Sequence, residues 1–548
     1  MTMAYSGLPA KVRDHRAHPA SWAFAAFASG FLILVASFYW PFLPPGSDGD
    51  ANSTYQVMIR LVEDFQYHIS RTPGQPALDL MNMAAFSLGR KAGLVGTYLF
   101  ICLLGVTAFY RICLAHGVQH PFLSATCLLL SPHFVAHVTG LGDFSLSLSL
   151  FLMCLYLLNR RKYNIAALVY VAAIGSRLSY CLFVFPLMYY IYNVERDKGD
   201  SVSHYSPALK FAVISALGSL CLFIPLFAVY GLSLLRNLGW QSLSYHVSSS
   251  LYKLISRGLG VPLSLLALSL ILIGRLKTSQ HSSSVADRWL DTFLFMTMLV
   301  AFVIFFFVPT KSEILLPLLA VLFLYVGRHY RMSVMVCMLI SIIFLGIIHI
   351  DLRDPSDDSL ALRFANGLYF EAYAGAYENR KGGEAIKDAI THLPPRSVLV
   401  TNFKTCYPVD PGGYPFSADR ADDLQSHRDG LLRLLGNVVR FRGIDAKYVV
   451  SFQDGGLKDF LESNALAPET DRYQIFYDPR YAALTRRWQK IDPSRYGSPA
   501  KINSPEIGLL PSDGLIKFRL PSFPSWFRGL PGGTGATSEC PAQTEATS

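Results

Sequence analysis

Long apolar runs separated by short polar ones dominate this chain. They lie near residues 22–43, 93–113, 121–138, 143–158, 163–175, 178–193, 207–231, 259–274, 289–308, 313–327 and 331–350. Each run is apolar on nearly all sides, the pattern of a helix with no face turned to water. A spanning helix needs about 20 apolar residues, fewer where short helices pack in a bundle, so the pattern predicts about eleven membrane spans. The runs 163–175 and 178–193 are short and nearly continuous, which makes ten crossings the alternative.

Two longer polar stretches interrupt the series, residues 44–92 and 232–258. Within the first, Tyr55, Met58, Ile59 and Val62, and then Leu78, Met81, Met83, Ala85 and Phe86, recur at helical spacing. That spacing predicts amphipathic helices lying on the membrane surface. The second mixes Arg236, His246, Lys253 and Arg257 with Trp240, Tyr245 and Tyr252, a composition suited equally to lipid headgroups and to stacking on sugars.

After Ile350 the pattern changes. Helix-like stretches (383–392, 421–440, 457–466, 480–488) alternate with strand-like ones (398–401, 448–452, 474–477, 515–520), which predicts a small α/β domain over 351–525. The tail 526–548, with Gly532-Gly533-Thr534-Gly535 and a Ser/Thr/Glu-rich end, has the composition of a disordered segment. The predicted fold is therefore a mainly α, polytopic membrane bundle over 1–350 carrying a C-terminal α/β domain.

Composition agrees. Over 548 residues, 52% are hydrophobic and only 16% charged, and the mean hydropathy is +0.33. This is too apolar for a soluble chain of such length. The net charge of +10 does not mark a nucleic-acid surface, because the Lys and Arg are scattered and many fall between spans, where they act as topology signals. Lys11, Arg13 and Arg16 precede a first run too long for a cleaved signal peptide, which points to an uncleaved anchor with its N-terminus inside. Counting about eleven crossings from there puts Arg160-Arg161-Lys162, Arg275 with Lys277, and Arg328 with Arg331 inside, and the C-terminal domain outside. Cys102, Cys113, Cys127, Cys154, Cys181, Cys221 and Cys337 lie in or beside the spans without metal-ligand spacing and read as small core residues, whereas Cys406 and Cys540 lie in the polar C-terminal part.

No internal repeat, phosphate-binding glycine loop, zinc motif or nucleophile elbow is present, so any chemistry must come from residues at the external ends of the spans. Asp48 and Asp50 follow the first span directly, in a stretch (Pro44-Pro45-Gly46-Ser47-Asp48-Gly49-Asp50) whose turn formers also suit a solvated turn. Asp143 opens the fourth run on the same side, as a helix N-cap, a donor-site ligand or both. His133 and His137 are four residues apart and, with Asp143, offer an arrangement for a divalent metal (Mg or Mn); simply hydrogen-bonded interface histidines are the bland alternative. Arg177 stands among apolar residues, where a charge costs about 2.5–3.5 kcal/mol; it either snorkels to the interface or meets a phosphate, which its planar fork suits. Lys311 and Glu313 occupy a tight external turn, as interfacial anchors or donor contacts.

Taken in order, a basic start, one span, an acidic loop, Pro73-Gly74-Gln75-Pro76, Ser131-Pro132-His133 followed by Asp143, Gly175-Ser176-Arg177 before a span containing Pro186, and Lys311-Ser312-Glu313 before Pro317 resemble the layout of the glycosyltransferase C superfamily. That superfamily includes protein O-mannosyltransferases and aminoarabinose transferases. The resemblance covers about residues 20–350. It implies transfer of a sugar from a polyprenyl-phosphate donor to a glycan, lipid or protein acceptor on the extracytoplasmic face, in a bacterial inner membrane. Where the superfamily has Asp-Glu in its first loop, this chain has Asp48-Gly49-Asp50. Asp50 is the preferred counterpart because Ala51 and Tyr55 follow it at the family's spacing. The implied roles are Asp50 as general base, Asp48 and Asp143 in support of the donor or a metal, and Arg177 and Lys311 as phosphate contacts. A polysaccharide polymerase or ligase of O-antigen type would rely on external arginines and histidines instead. A transporter or flippase would be expected to show repeated halves or mid-bilayer acids.

Overall fold

The computed structural model describes residues 19–42, 54–55, 58, 61–62, 74–138, 142–196, 205–230, 243–273, 285–309, 311–353 and 360–377, and the strand segments 397–401, 418–420, 438–441, 448–451, 474–477, 489–490 and 517–519. Asp48 and Asp50 lie outside the described residues, as do most of the helix-like stretches predicted after residue 380.

The protein is a helical membrane protein. Its described helices are α1 (Pro19–Tyr39), α2 (Pro76–Ala115), α3 (Pro121–Leu129), α4 (Pro132–Ala136), α5 (Asp143–Asn159), α6 (Tyr163–Ser176), α7 (Val184–Arg196), α8 (Tyr205–Tyr230), α9 (Leu243–Lys253), α10 (Gly260–Ile273), α11 (Val285–Phe307), α12 (Leu316–His329) and α13 (Met332–Ile347). Five stretches among the described residues are long and apolar enough to cross a membrane: Pro19–Phe42, Pro76–Ala115, Tyr205–Ala228, Arg288–Phe307 and Ser312–His329. A sixth crossing results if Tyr245–Gly258 and Gly260–Ser269, bent by 102° at their junction, count as one broken span. Asp143–Asn159, Tyr163–Ser176 and Met332–Ile347 are apolar but shorter. Helices thus form at the predicted positions, while the length and composition that mark a full crossing belong to five or six of them.

Several boundaries differ from the sequence pattern for local reasons. The helix that the spacing of Leu78, Met81, Met83, Ala85 and Phe86 predicts within 44–92 is present but continues into the next apolar run as α2, which Pro76 initiates at a position where its missing N–H costs nothing. Helix α2 is broken at Gly89 and Arg90, the latter at φ 49°, so residues 76–88 form an arm hinged on the membrane-crossing part. The run 121–138 is divided at Pro132 into α3 and α4, because the residue before a proline is driven out of helical geometry and Ser131 takes φ −61°, ψ 126°. The second polar stretch, predicted as a loop, is helical from Leu243 and continues through a π-helical turn at Leu254–Gly258.

Helix α2 packs most extensively on α5, and α5 on α6. Their interface joins a large core containing Phe24, Phe109, Phe151, Tyr170, Phe183 and Tyr190. Many apolar residues on the outer faces, such as Phe38, Phe100, Leu168, Leu217 and Phe295, are exposed. On a bundle this apolar they form a lipid-facing surface.

Strand β1 (Ile348–Arg353) runs directly out of α13 and pairs antiparallel with β2 (Leu360–Asn366). A helix over residues 368–377, α14, follows and lies in a cluster with Val35, Tyr39, Val95 and Val135 of α1, α2 and α4. The remaining strands are β3 (Ser397–Thr401), β4 (Ala418–Arg420), β5 (Val438–Phe441), β6 (Tyr448–Ser451), β7 (Gln474–Tyr477), β8 (Gln489–Lys490) and β9 (Lys517–Arg519). The third strand of the β1–β2 sheet is β9. The other sheet has the order β4-β5-β6-β3-β7-β8, with β3 parallel to both β6 and β7. The continuous apolar run Val398-Leu399-Val400 suits this central position, since a parallel strand with neighbours on both sides is normally covered on both faces. The strand-like stretches at 398–401, 448–452, 474–477 and 515–520 coincide with observed strands. The helix predicted over 421–440 does not reach its predicted end, because Val438–Phe441 is β5 and pairs with β6. β-branched Val438 and Val439 favour that pairing.

Candidate functional site

The site is built at the ends of α4, α5, α6 and the turn before α12. Gly142, at φ −76° and ψ 132°, takes the N-cap position of α5, so Asp143 is the first helical residue rather than the cap. Its carboxylate still lies at the positive end of the helix dipole, where a negative charge is favoured. The Asp143 side chain is 2% exposed, and its Oδ2 accepts a hydrogen bond from Arg177 Nη1 at 2.6 Å. Gln75 Nε2 donates to the same oxygen at 2.8 Å. Gln75 caps α2 after Gly74, whose φ of +94° is one that glycine adopts without steric cost.

Arg177 leaves α6 in extended geometry, φ −156° and ψ 105°, between Ser176 and a 3₁₀ turn at Leu178–Phe183. This break at the end of α6 directs the guanidinium toward α5. Its Cζ stands 4.0 Å from the centre of the Phe144 ring, and Lys311 Nζ lies 5.7 Å from the same ring, so one aromatic ring meets two cations. The cost of the arginine among apolar residues is therefore offset mainly by Asp143 and Phe144. Among the described residues, only Nη1 of the guanidinium makes a hydrogen bond.

His137 ends α4, and its Nε2 lies 3.7 Å from Glu313 Oε1. Its ring lies 5.1 Å from that of Phe144. Arg177, Phe144 and Glu313 line one small cleft with Ser179, Tyr180 and Pro317. The structure thus gathers Asp143, Arg177, Lys311, Glu313 and His137 from separate parts of the chain. Gln75 and Phe144 join them without having been singled out in the sequence. The available signals were the Pro-Gly-x-Pro element around Gln75 and the position of Phe144 beside Asp143.

His133 points elsewhere: its Nε2 donates to the Arg257 carbonyl at 2.8 Å, with the Gly258 carbonyl at 3.2 Å. The His133, His137 and Asp143 set expected for a divalent metal is not assembled. His133 is committed to backbone carbonyls and Asp143 to Arg177 and Gln75. Among the described residues no three His, Cys, Asp or Glu side chains stand together to hold an ion. The residues do not fit a metal, and no step of the chemistry is routed through one.

Behind His133, Arg257 Nη2 lies 3.5 Å from Glu371 of α14, and Tyr252 donates to Asp351 of β1. His349 Nδ1 lies 3.6 Å from the same Glu371. These contacts give Tyr252 and Arg257 of the second polar stretch a docking role toward the segment after α13.

Gly142 is sterically required. A Cβ there would lie 2.4 Å from His137 Nδ1. Gly142→Ala is expected to lower stability by about 1–3 kcal/mol through overpacking, with most of the loss recovered when His137→Ala makes room. Thermal unfolding of the single and double variants in lipid checks this; an additive double variant would show that the imidazole is not what the methyl group meets.

Compared with protein-family models and with curated protein sequences, the chain matches none.

Proposed function

We propose that this chain is a membrane glycosyltransferase that moves a sugar from a polyprenyl-phosphate donor to a glycan, lipid or protein acceptor. The reading places it in a bacterial inner membrane with about eleven crossings, the N-terminus cytoplasmic and the α/β domain outside. One observation carries it: Arg177, held by Asp143 and Phe144 beside Lys311, presents positive charge at the mouth of a cleft within an apolar bundle. A phosphate leaving group needs such charge when its bond to the anomeric carbon breaks. The uncommitted guanidinium N–H groups suit phosphate oxygens, which a planar fork can bind two at a time.

In this reading the acceptor hydroxyl attacks the anomeric carbon as the carbon–oxygen bond to the lipid phosphate breaks. Asp50 takes the hydroxyl proton, and the phosphate departs with its negative charge facing Arg177 and Lys311. Asp143 positions Arg177. Glu313 lines the same cleft, and its contact with His137 holds the turn that carries Lys311.

Arg177→Lys keeps the charge but loses the fork. Affinity for a polyprenyl-phosphate sugar is expected to fall about tenfold, the equivalent of about 1.4 kcal/mol, while the amount of folded protein in the membrane is unchanged. Binding of a radiolabelled donor to both forms in lipid tests this, and equal affinity would leave Arg177 a structural ion-pair partner and remove the main support for the reading.

A further inference from the structure

Beside the phosphate site lies a polar group that the chemistry above does not use. Gln75, Asp79 and Asn82 are spaced four and three residues apart, so they share one face of the α2 arm, and the Asp79 amide donates to the Gln75 carbonyl at 2.9 Å. Gln75 is the residue bonded to Asp143, so this face leads away from the ion pair. Asn82 is 0% exposed and Tyr98, across the break in α2, is 1% exposed. The Asn82 amide and the Tyr98 hydroxyl meet in a contact looser than a well-formed hydrogen bond, and neither makes a well-formed one to any other described residue. They lie next to each other, with Asp79 and Asp143 close enough to act on the hydroxyl electrostatically. Around them Tyr55, Met58, Leu78, Phe86, Leu94 and Leu146 form an apolar cluster.

A buried amide and a buried phenol that have only each other, in loose contact, among the described residues weaken a fold, and an apolar pair of the same shape would fill the space at less cost. Such groups persist where something else uses them. An amide offers two donors and an acceptor, and a phenol one of each, a set that matches adjacent hydroxyls on a saturated ring. The arm carrying Asn82 is set off from the rest of α2 by the break at Gly89 and Arg90, the latter a non-glycine residue at positive φ, a local strain of the kind found at ligand sites.

We propose that Asn82 and Tyr98, with Asp79 alongside, form the sugar-recognition subsite of the donor site, binding hydroxyls of the hexose or pentose while Arg177 holds the phosphate. The inference rests on the glycosyltransferase reading. Purified protein in lipid nanodiscs would be titrated with bare polyprenyl phosphate and with its hexosyl and pentosyl derivatives. The unaltered protein is expected to bind one sugar-bearing lipid at least tenfold more tightly than the bare one. Asn82→Leu and Tyr98→Phe should each abolish that preference, leave affinity for the bare lipid unchanged, and melt at the same or a higher temperature. Variants that retain the preference, lose both lipids equally, or melt at a clearly lower temperature would overturn the subsite, since each of these results assigns the two side chains a structural role. Absence of any sugar preference in the unaltered protein would overturn it too. If the unaltered protein binds no polyprenyl phosphate at all, the glycosyltransferase reading falls and the subsite with it.

Discussion

Asp50→Asn is expected to lower sugar transfer by about 10²–10⁴-fold, the usual contribution of a general base, with donor binding largely retained. Asparagine preserves the size and turn-forming character of aspartate, so a purely structural Asp50 would leave the rate unchanged. The loss should fall on turnover because the proton is taken only as the new bond forms, not when the donor binds. Asp48→Asn should be milder, since Asp50 is the residue followed by Ala51 and Tyr55. A radiolabelled polyprenyl-phosphate sugar with a membrane extract as acceptor makes the comparison without knowing the natural acceptor. Full activity of Asp50→Asn removes it as the base; full activity of Asp48→Asn and Asp143→Asn as well removes the glycosyltransferase reading.

Asp143→Leu is expected to destabilise the protein by about 3–5 kcal/mol, because it strands the Arg177 guanidinium without its partner in an apolar bundle. The Asp143 carboxylate is 2% exposed and 2.6 Å from Nη1, so little solvent is available to take its place. Adding Arg177→Met should restore most of the lost stability, since the stranded charge is then gone. Transfer should be absent from both the single and the double variant, because the phosphate site is lost either way. A double-variant cycle of denaturation in lipid reads the coupling directly. Simple additivity of the two substitutions would mean that the ion pair is not what holds these helix ends together, and recovery of transfer in the double variant would dissociate the pair from catalysis.

The sequence by itself determined that this is a membrane protein, where its helices lie, and where several of its strands fall. The reason is local: an apolar run excludes water along its whole length, proline and glycine punctuate it, and these effects need no distant partner. It also pointed to Asp143, Arg177, Lys311, Glu313 and His137, because charge and histidine at the end of an apolar run are costly enough to be conspicuous.

Only the tertiary structure decided how those residues combine. Asp143 and Arg177 are 34 positions apart and Gln75 precedes Asp143 by 68, and no periodicity encodes which helix ends meet. Packing of α5 against α2 and α6 brings them to one oxygen atom. Packing likewise turned His133 away from a metal-ligand role, since the carbonyls of Arg257 and Gly258 lie where its Nε2 points and a donor takes the nearest acceptor available in a buried site. Length and composition mark five or six of the described helices as full crossings, for a related reason. Hydropathy measures how apolar a segment is, and it does not distinguish a helix crossing lipid from one such as α5 that is short and buried against its neighbours. Asn82 and Tyr98 went unmarked because a single amide or phenol among apolar residues is ordinary in a sequence. It becomes informative only when three-dimensional packing shows it buried with its hydrogen-bonding capacity largely unfilled among the described residues.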